Sequence, residues 1–120
     1  MYTELSTVGK TWQTDYMKKT QGDKSTGPTA DYDSILLLAA AITKAGTVDP
    51  DAVNKALPTV TVEGTTGNTM FGGADVLGIP HLLERPISVV EVESGKIVNV
   101  YTGWPARISA TMSPSPSPAQ

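Results

Sequence analysis

The chain has 120 residues, of which 39% are hydrophobic and 18% charged, so we expect one domain with a modest core and no membrane-spanning segment. Nine basic and twelve acidic residues give a formal net charge of −3 without a basic cluster, which argues against nucleic acid as a partner. Cysteine is absent, which excludes disulfides, thiol nucleophiles and thiolate metal sites.

The first predicted element is an amphipathic helix over residues 6–21. Its apolar face is marked by Val8, Trp12 and Tyr16, which recur at a spacing of four residues with charged residues between them. The helix is expected to stop in the turn-rich stretch 21–28, where Gly and Pro interrupt any regular structure.

A second helix is predicted to begin at Pro28 or Thr29 and to end with Gly46 as its C-cap. Its residues 35–42 are eight consecutive apolar side chains, which would make the helix apolar on all sides. Such a helix must be covered by several neighbours. We therefore expect more apolar surface here than a chain of this length can bury by itself.

The following segments switch from a helical to a strand pattern. Asp49 followed by Pro50 is a helix-start signal, which predicts a short third helix over 51–57. After Pro58, residues 59–63 and 69–71 read as two short strands around a turn at 64–68.

The last regular element is a predicted β-hairpin. Its strands cover 87–93 and 96–101, joined by a two-residue turn at Ser94-Gly95. The stretch 72–86 between the two β regions shows little regular pattern, and a loop of that length usually has a function.

The two ends of the chain give separate predictions. We expect the folded unit to cover 1–107 and the Ser/Pro-rich residues 108–120 to be a disordered tail. The N-terminus has neither a basic start nor an apolar stretch, so it is not a secretory signal. The simplest expectation is a truncated or excised piece whose leader is missing.

A series of short motifs appears in a particular order along the chain. They are Tyr32-Asp33-Ser34, Lys44-Ala45-Gly46, Asp49-Pro50, Ala52-Val53 with Ala56-Leu57, Phe71-Gly72-Gly73-Ala74-Asp75, and Glu93-Ser94-Gly95-Lys96. In this order the region from about residue 5 to about 101 resembles the C-terminal part of the type I periplasmic binding proteins. These are the solute-binding components of ABC importers for branched-chain amino acids, amides, urea and aromatic acids.

The resemblance implies an α/β fold, with helices and a C-terminal β-hairpin forming part of one lobe of a three-layer α/β/α parent. It implies closure of two lobes around a small amino acid or carboxylate in the periplasm or outside the cell, followed by docking to an ABC permease. It also implies hinge segments at 58–67 and 72–86. No cofactor is implied, and most ligand contacts would come from upstream regions that this chain lacks.

The candidate ligand-binding residues that the resemblance suggests are Tyr32, Phe71, Asp75 and His81. The alternative for Tyr32 is simple packing against the first helix, which we favour. Asp33 is expected in the first turn of the second helix, where a carboxylate suits the positive helix end. His81 is the only histidine in the sequence. Because no nucleophile stands in an elbow motif, we interpret His81 as a loop residue rather than as a catalytic residue of a small hydrolase, which is the rival hypothesis.

Two further expectations follow if the chain is only a fragment of a binding protein. Half a cleft buries too little of a small ligand, so the chain alone should not bind solute usefully. The alternative function is a self-associating interaction domain, and even a fragment of the resembled family should form homo-oligomers through its exposed helix and strand surfaces.

Asp31 and Asp33 should point to different sides of the helix, and no calcium-loop motif is present, so we expect no metal site.

Overall fold

The computed structural model describes residues 5–22 and 27–104, and its fold class is α/β, as predicted. The helices are α1 (Thr7–Lys19), α2 (Thr29–Ala45), α3 (Pro50–Ala56) and α4 (Ala74–Leu77), with a 3₁₀ turn at Leu57–Thr59. The strands are β1 (Thr61–Gly64), β2 (Gly67–Gly72), β3 (Leu82–Glu84), β4 (Ile87–Glu93) and β5 (Lys96–Gly103). None of the helices in the described ranges is long and apolar enough to cross a membrane.

The predicted helix caps are confirmed. Gly46 follows α2 in the left-handed conformation, with φ of 66°, and its N–H donates to the Ile42 carbonyl. Asp49 caps α3 by accepting a hydrogen bond from the Ala52 backbone N–H at 3.0 Å, and Pro50 is the first helical residue. Glycine suits the C-cap position of α2 because a residue without Cβ adopts positive φ at little cost.

The five strands form two separate antiparallel sheets. In the first sheet β2 lies between β1 and β3. Gly64 is opposite Gly67 in the register, so Thr65 and Thr66 form the turn between β1 and β2. This confirms that the Gly-Thr-Thr-Gly sequence is a hairpin turn. The second sheet contains only β4 and β5, with a bulge between Val89 and Val90.

The small core lies where α2 packs against α3 and the first sheet. Its buried apolar members are Leu37, Ala41, Val53 and Val60. The other side of α2 is not covered by the described residues, since Ile35 is 64% exposed. As predicted, α2 carries more apolar surface than the described part of the chain buries.

The stretch 72–86 is more regular than predicted. It contains the single helical turn α4 and the three-residue strand β3, which pairs with β2 and places Leu83 opposite Phe71. Neither element is long enough to show a period in the sequence, and β3 depends on pairing with a distant strand. The prediction of a patternless loop was therefore wrong.

The β4–β5 hairpin is present as predicted, and β5 continues to Gly103. Apolar side chains are exposed on both of its faces, including Val89 and Tyr101 on one face and Val92 and Ile97 on the other. The predicted boundary at residue 107 and the tail 108–120 lie outside the described residues, as do residues 1–4 and 23–26.

Candidate functional site

A buried polar arrangement that joins three segments of the described chain surrounds Asp33. The sequence predicted this residue in the first turn of α2, but it is the fifth helical residue and its side chain is fully buried. Its Oδ1 accepts a hydrogen bond from the Thr65 backbone N–H at 2.7 Å, and its Oδ2 accepts one from the Thr65 hydroxyl at 2.9 Å. The carboxylate therefore binds the β1–β2 turn, and the assignment to the helix end was wrong.

Arg85 brings a third segment to the same carboxylate. Its Nη1 lies 3.5 Å from Asp33 Oδ2 and donates to the Thr29 hydroxyl at 2.9 Å. The Asp33 side chain is fully buried, whereas the Arg85 side chain is 24% exposed. A buried carboxylate is costly unless it is paired and hydrogen-bonded, and these contacts meet that requirement.

Two glycines allow the backbone to approach this arrangement closely. A Cβ added at Gly64 would lie 2.8 Å from Asp33 Cγ, and one added at Gly9 would lie 2.0 Å from the Thr65 carbonyl oxygen. Ser6 reinforces the approach from α1, since its N–H donates to that same oxygen at 2.8 Å and its hydroxyl donates to the Gly64 carbonyl at 2.7 Å. Helices α1 and α2 therefore meet at the Thr65 turn.

The candidate residue Tyr32 lies in a different place, on the side of α2 that faces α1. Its ring centroid is 6.2 Å from that of Trp12, and Trp12 stacks on Tyr16 at 4.9 Å. These three rings line a surface groove of about 550 Å³ together with Asp15 and Lys19. Tyr32 thus packs against α1 as favoured, while its exposed edge faces the groove.

The other three candidate residues lie around α4. Phe71 on β2 and His81 contact each other edge to face, with ring centroids 6.2 Å apart. His81 Nε2 is buried and has no hydrogen-bond partner among the described residues. Asp75 is an exposed residue of α4. The structure therefore brings Phe71 and His81 together, but Tyr32 contacts a separate set of rings.

A second groove follows the uncovered side of α2. It has a volume of about 480 Å³ and is lined mainly by apolar residues of α2, α3 and the segment between them, namely Leu38, Ile42, Val48, Pro50, Val53 and Leu57. No group of three or more His, Asp or Glu side chains that could hold a metal ion occurs within residues 5–22 and 27–104.

A family model described as periplasmic binding protein matches residues 1–96. The chain belongs to the periplasmic binding protein family. This membership supports the recognition made from the sequence motifs at the level of the family, and it indicates a small-molecule solute-binding role in general. Periplasmic binding proteins are generally not enzymes, and the family points to a periplasmic location. The comparisons with curated proteins and with solved structures each find no match.

For this periplasmic binding protein, sequence reasoning missed the partners of Asp33. Thr65 and Arg85 are distant from it in the chain, and neither belongs to a recognised motif. One signal was available, because Thr29, Asp33, Leu37 and Ala41 recur every fourth residue and all four are buried. That spacing places Asp33 on the core-facing side of α2 and predicts that its carboxylate needs partners.

Proposed function

We propose that this chain is part of a solute-binding protein that delivers branched-chain amino acids or related small carboxylates to an ABC importer. The observation that carries the proposal is the match of residues 1–96 to the periplasmic binding protein family. In the proposed mechanism two lobes close around the solute, and the closed form docks to the membrane permease. Closure needs a hinge, for which segments 58–67 and 72–86 are the candidates.

The solute cleft in this proposal is completed by chain regions outside these 120 residues. Small-molecule sites enclose most of the ligand surface, whereas the described grooves are open and the candidate residues fall into two groups. Ile35 and Leu38 on α2 are exposed apolar side chains, as expected for a surface that packs against the rest of a lobe in the longer protein. The chain by itself is thus a fragment without useful solute affinity.

Tyr32, Phe71, Asp75 and His81 remain the proposed solute contacts. Tyr32 supplies an aromatic edge and a hydroxyl at its groove, and Phe71 with His81 supplies an apolar wall with one ring nitrogen that lacks a described partner. In this proposal the carboxylate of Asp75, which is exposed on α4, accepts a hydrogen bond from the ammonium group of an amino acid.

The test uses the full-length protein that contains this chain. Thermal unfolding is followed with and without leucine, isoleucine, valine and aromatic carboxylates at about a hundredfold excess over the dissociation constant, where binding contributes about 2.7 kcal/mol. We expect stabilisation by at least one of these solutes, and none for the chain alone. If the full-length protein responds to no amino acid or carboxylate, the proposed solute class is wrong.

Matched variants test the residues separately. Tyr32→Phe, Asp75→Asn and His81→Gln should each weaken solute binding. Tyr101→Phe and Asp51→Asn serve as controls, because Tyr101 is an exposed tyrosine on β5 and Asp51 an exposed carboxylate on α3. Equal affinities for Asp75→Asn and Asp51→Asn would remove Asp75 from the site.

A second candidate function is a self-associating interaction domain. It is favoured by the β4–β5 hairpin, whose exposed apolar residues on both faces would be buried in an oligomer. Light scattering coupled to size-exclusion chromatography should then give a dimer or larger species for the chain alone. A stable monomer at micromolar concentration would contradict both self-association and the view that these surfaces need covering.

A further inference from the structure

Asp33 holds both of the segments that serve as candidate hinges. Thr65 belongs to segment 58–67 and Arg85 to segment 72–86, and both bind the same buried carboxylate. The two contacts differ in kind. Thr65 makes two short hydrogen bonds that are fully buried, whereas Arg85 approaches at 3.5 Å with a partly exposed side chain.

Arg85 is also the point at which the chain passes from the first sheet to the hairpin. β3 ends at Glu84 and β4 begins at Ile87, so only Arg85 and Pro86 connect them. The Pro86 ring lies beside the β1–β2 turn, since a Cβ added at Gly67 would lie 3.1 Å from Pro86 Cγ. A side-chain anchor at Arg85 therefore controls how the hairpin leaves the core.

From this geometry we propose that the contacts between Asp33 and Thr65 are the fixed point of a hinge. The contacts of Arg85 with Asp33 and Thr29 form a releasable restraint on the hairpin, which we call the latch. The Asp33–Thr65 contact persists in every conformation and keeps α2 on the first sheet. The Arg85 contacts to Asp33 and Thr29 restrain the β4–β5 hairpin, and their breakage lets it swing. Assigning this motion to lobe closure rests on the proposed solute-binding function, but the latch itself does not.

The contacts decide which half of the arrangement opens. Breaking the Thr65 contacts would leave a buried carboxylate, a backbone N–H and a hydroxyl without partners, which is expensive in a dry interior. Breaking the Arg85 contacts removes the counter-charge of the buried carboxylate, but it leaves Asp33 with both Thr65 hydrogen bonds and returns a partly exposed guanidinium fully to water, so its cost is the smaller of the two. The weaker contact at the rim is therefore the one that opens.

The test measures hairpin position directly, using the cysteine-free chain as a background for spin labels. One labelled pair, Lys55→Cys with Lys96→Cys, joins an exposed site on α3 to the tip of the hairpin. A second pair, Lys10→Cys with Lys55→Cys, joins α1 to α3 and reports on the body. Distance distributions from double electron–electron resonance are compared for both pairs.

Arg85→Gln should broaden the hairpin distribution and raise the released population about tenfold, as expected for loss of a hydrogen bond to a charged group. The body distribution should stay narrow. Arg85→Lys keeps the charge and should restore part of the restraint. Lys18→Gln removes the exposed Lys18–Asp15 pair at 3.3 Å and should change neither distribution.

The latch is refuted if the distance distribution of the hairpin pair is the same in Arg85→Gln as in the parent. It is also refuted if the distribution of the body pair broadens equally, or if Arg85→Gln and Arg85→Lys give the same hairpin distribution. Because no ligand is needed, these outcomes are separate from the solute titration. A full-length protein that binds no solute would refute the proposed function while leaving the latch intact.

Discussion

Gly9 offers the sharpest test of how closely α1 approaches the β1–β2 turn. In a helix alanine is ordinarily about 1 kcal/mol more favourable than glycine, so Gly9→Ala would stabilise an isolated α1. Here the added Cβ would lie 2.0 Å from the Thr65 carbonyl oxygen and 2.9 Å from its carbonyl carbon. Both are backbone atoms that cannot rotate away, so α1 itself must move.

The magnitude follows from what that movement breaks. A carbon–oxygen contact settles at about 3.3–3.6 Å, so α1 must retreat by about 1 Å or more. The two hydrogen bonds from Ser6 to Gly64 and Thr65, at 2.7 and 2.8 Å, would be lost at about 1 kcal/mol each. With about 1–3 kcal/mol of overpacking strain, and after the helix-propensity gain of about 1 kcal/mol, we expect a net loss of about 2–4 kcal/mol.

Urea unfolding followed by circular dichroism measures this loss. For a slope of about 2 kcal/mol per molar urea, the midpoint should fall by about 1–2 M. Thr11→Ala is the control on the same helix, because Thr11 is exposed and its hydroxyl bonds only to the Thr7 carbonyl. That variant should be neutral or slightly stabilised. A Gly9→Ala midpoint at or above that of the parent would refute the close approach.

Three further substitutions, with Ile35→Ala as a matched control, test the buried contacts and the α3 cap by the same measurement. Asp33→Ala should cost about 3–5 kcal/mol because it leaves buried partners unpaired, and a loss below about 1 kcal/mol would show that the carboxylate is not buried as described. Leu37→Ala should cost about 2–5 kcal/mol, whereas Ile35→Ala, two residues earlier and 64% exposed, should cost less than about 1 kcal/mol; equal losses would contradict the assigned face of α2. Asp49→Ala should cost about 1 kcal/mol through loss of the α3 cap, and an unchanged midpoint would mean that the cap is solvated in solution.

The sequence predicted those elements whose signals are local. The Asp49-Pro50 start, the Gly46 stop and the Ser94-Gly95 turn each depend on backbone preferences of one or two residues, and all three are confirmed. The β1–β2 turn was predicted for the same reason. Such features need no information about the rest of the fold.

The misses concern contacts made across the chain. β3 exists because β2 offers it a partner, and nothing within its three residues indicates that pairing. The spacing of Asp33 from Leu37 and Ala41 does place it on the core-facing side of α2, but the sequence does not show which groups pair with its carboxylate. Its partner Arg85 lies 52 residues further on, beyond any motif. The packing of Tyr32 on α1 was predicted, whereas the contact between Phe71 and His81 was not.

The exposed apolar residues on both sides of the β4–β5 hairpin have a consequence for assembly. A two-stranded hairpin with two apolar faces must pack against a neighbour on each face, since a single neighbour would leave one apolar face in contact with water. Folding intermediates that leave either face of the hairpin uncovered would therefore be prone to aggregation.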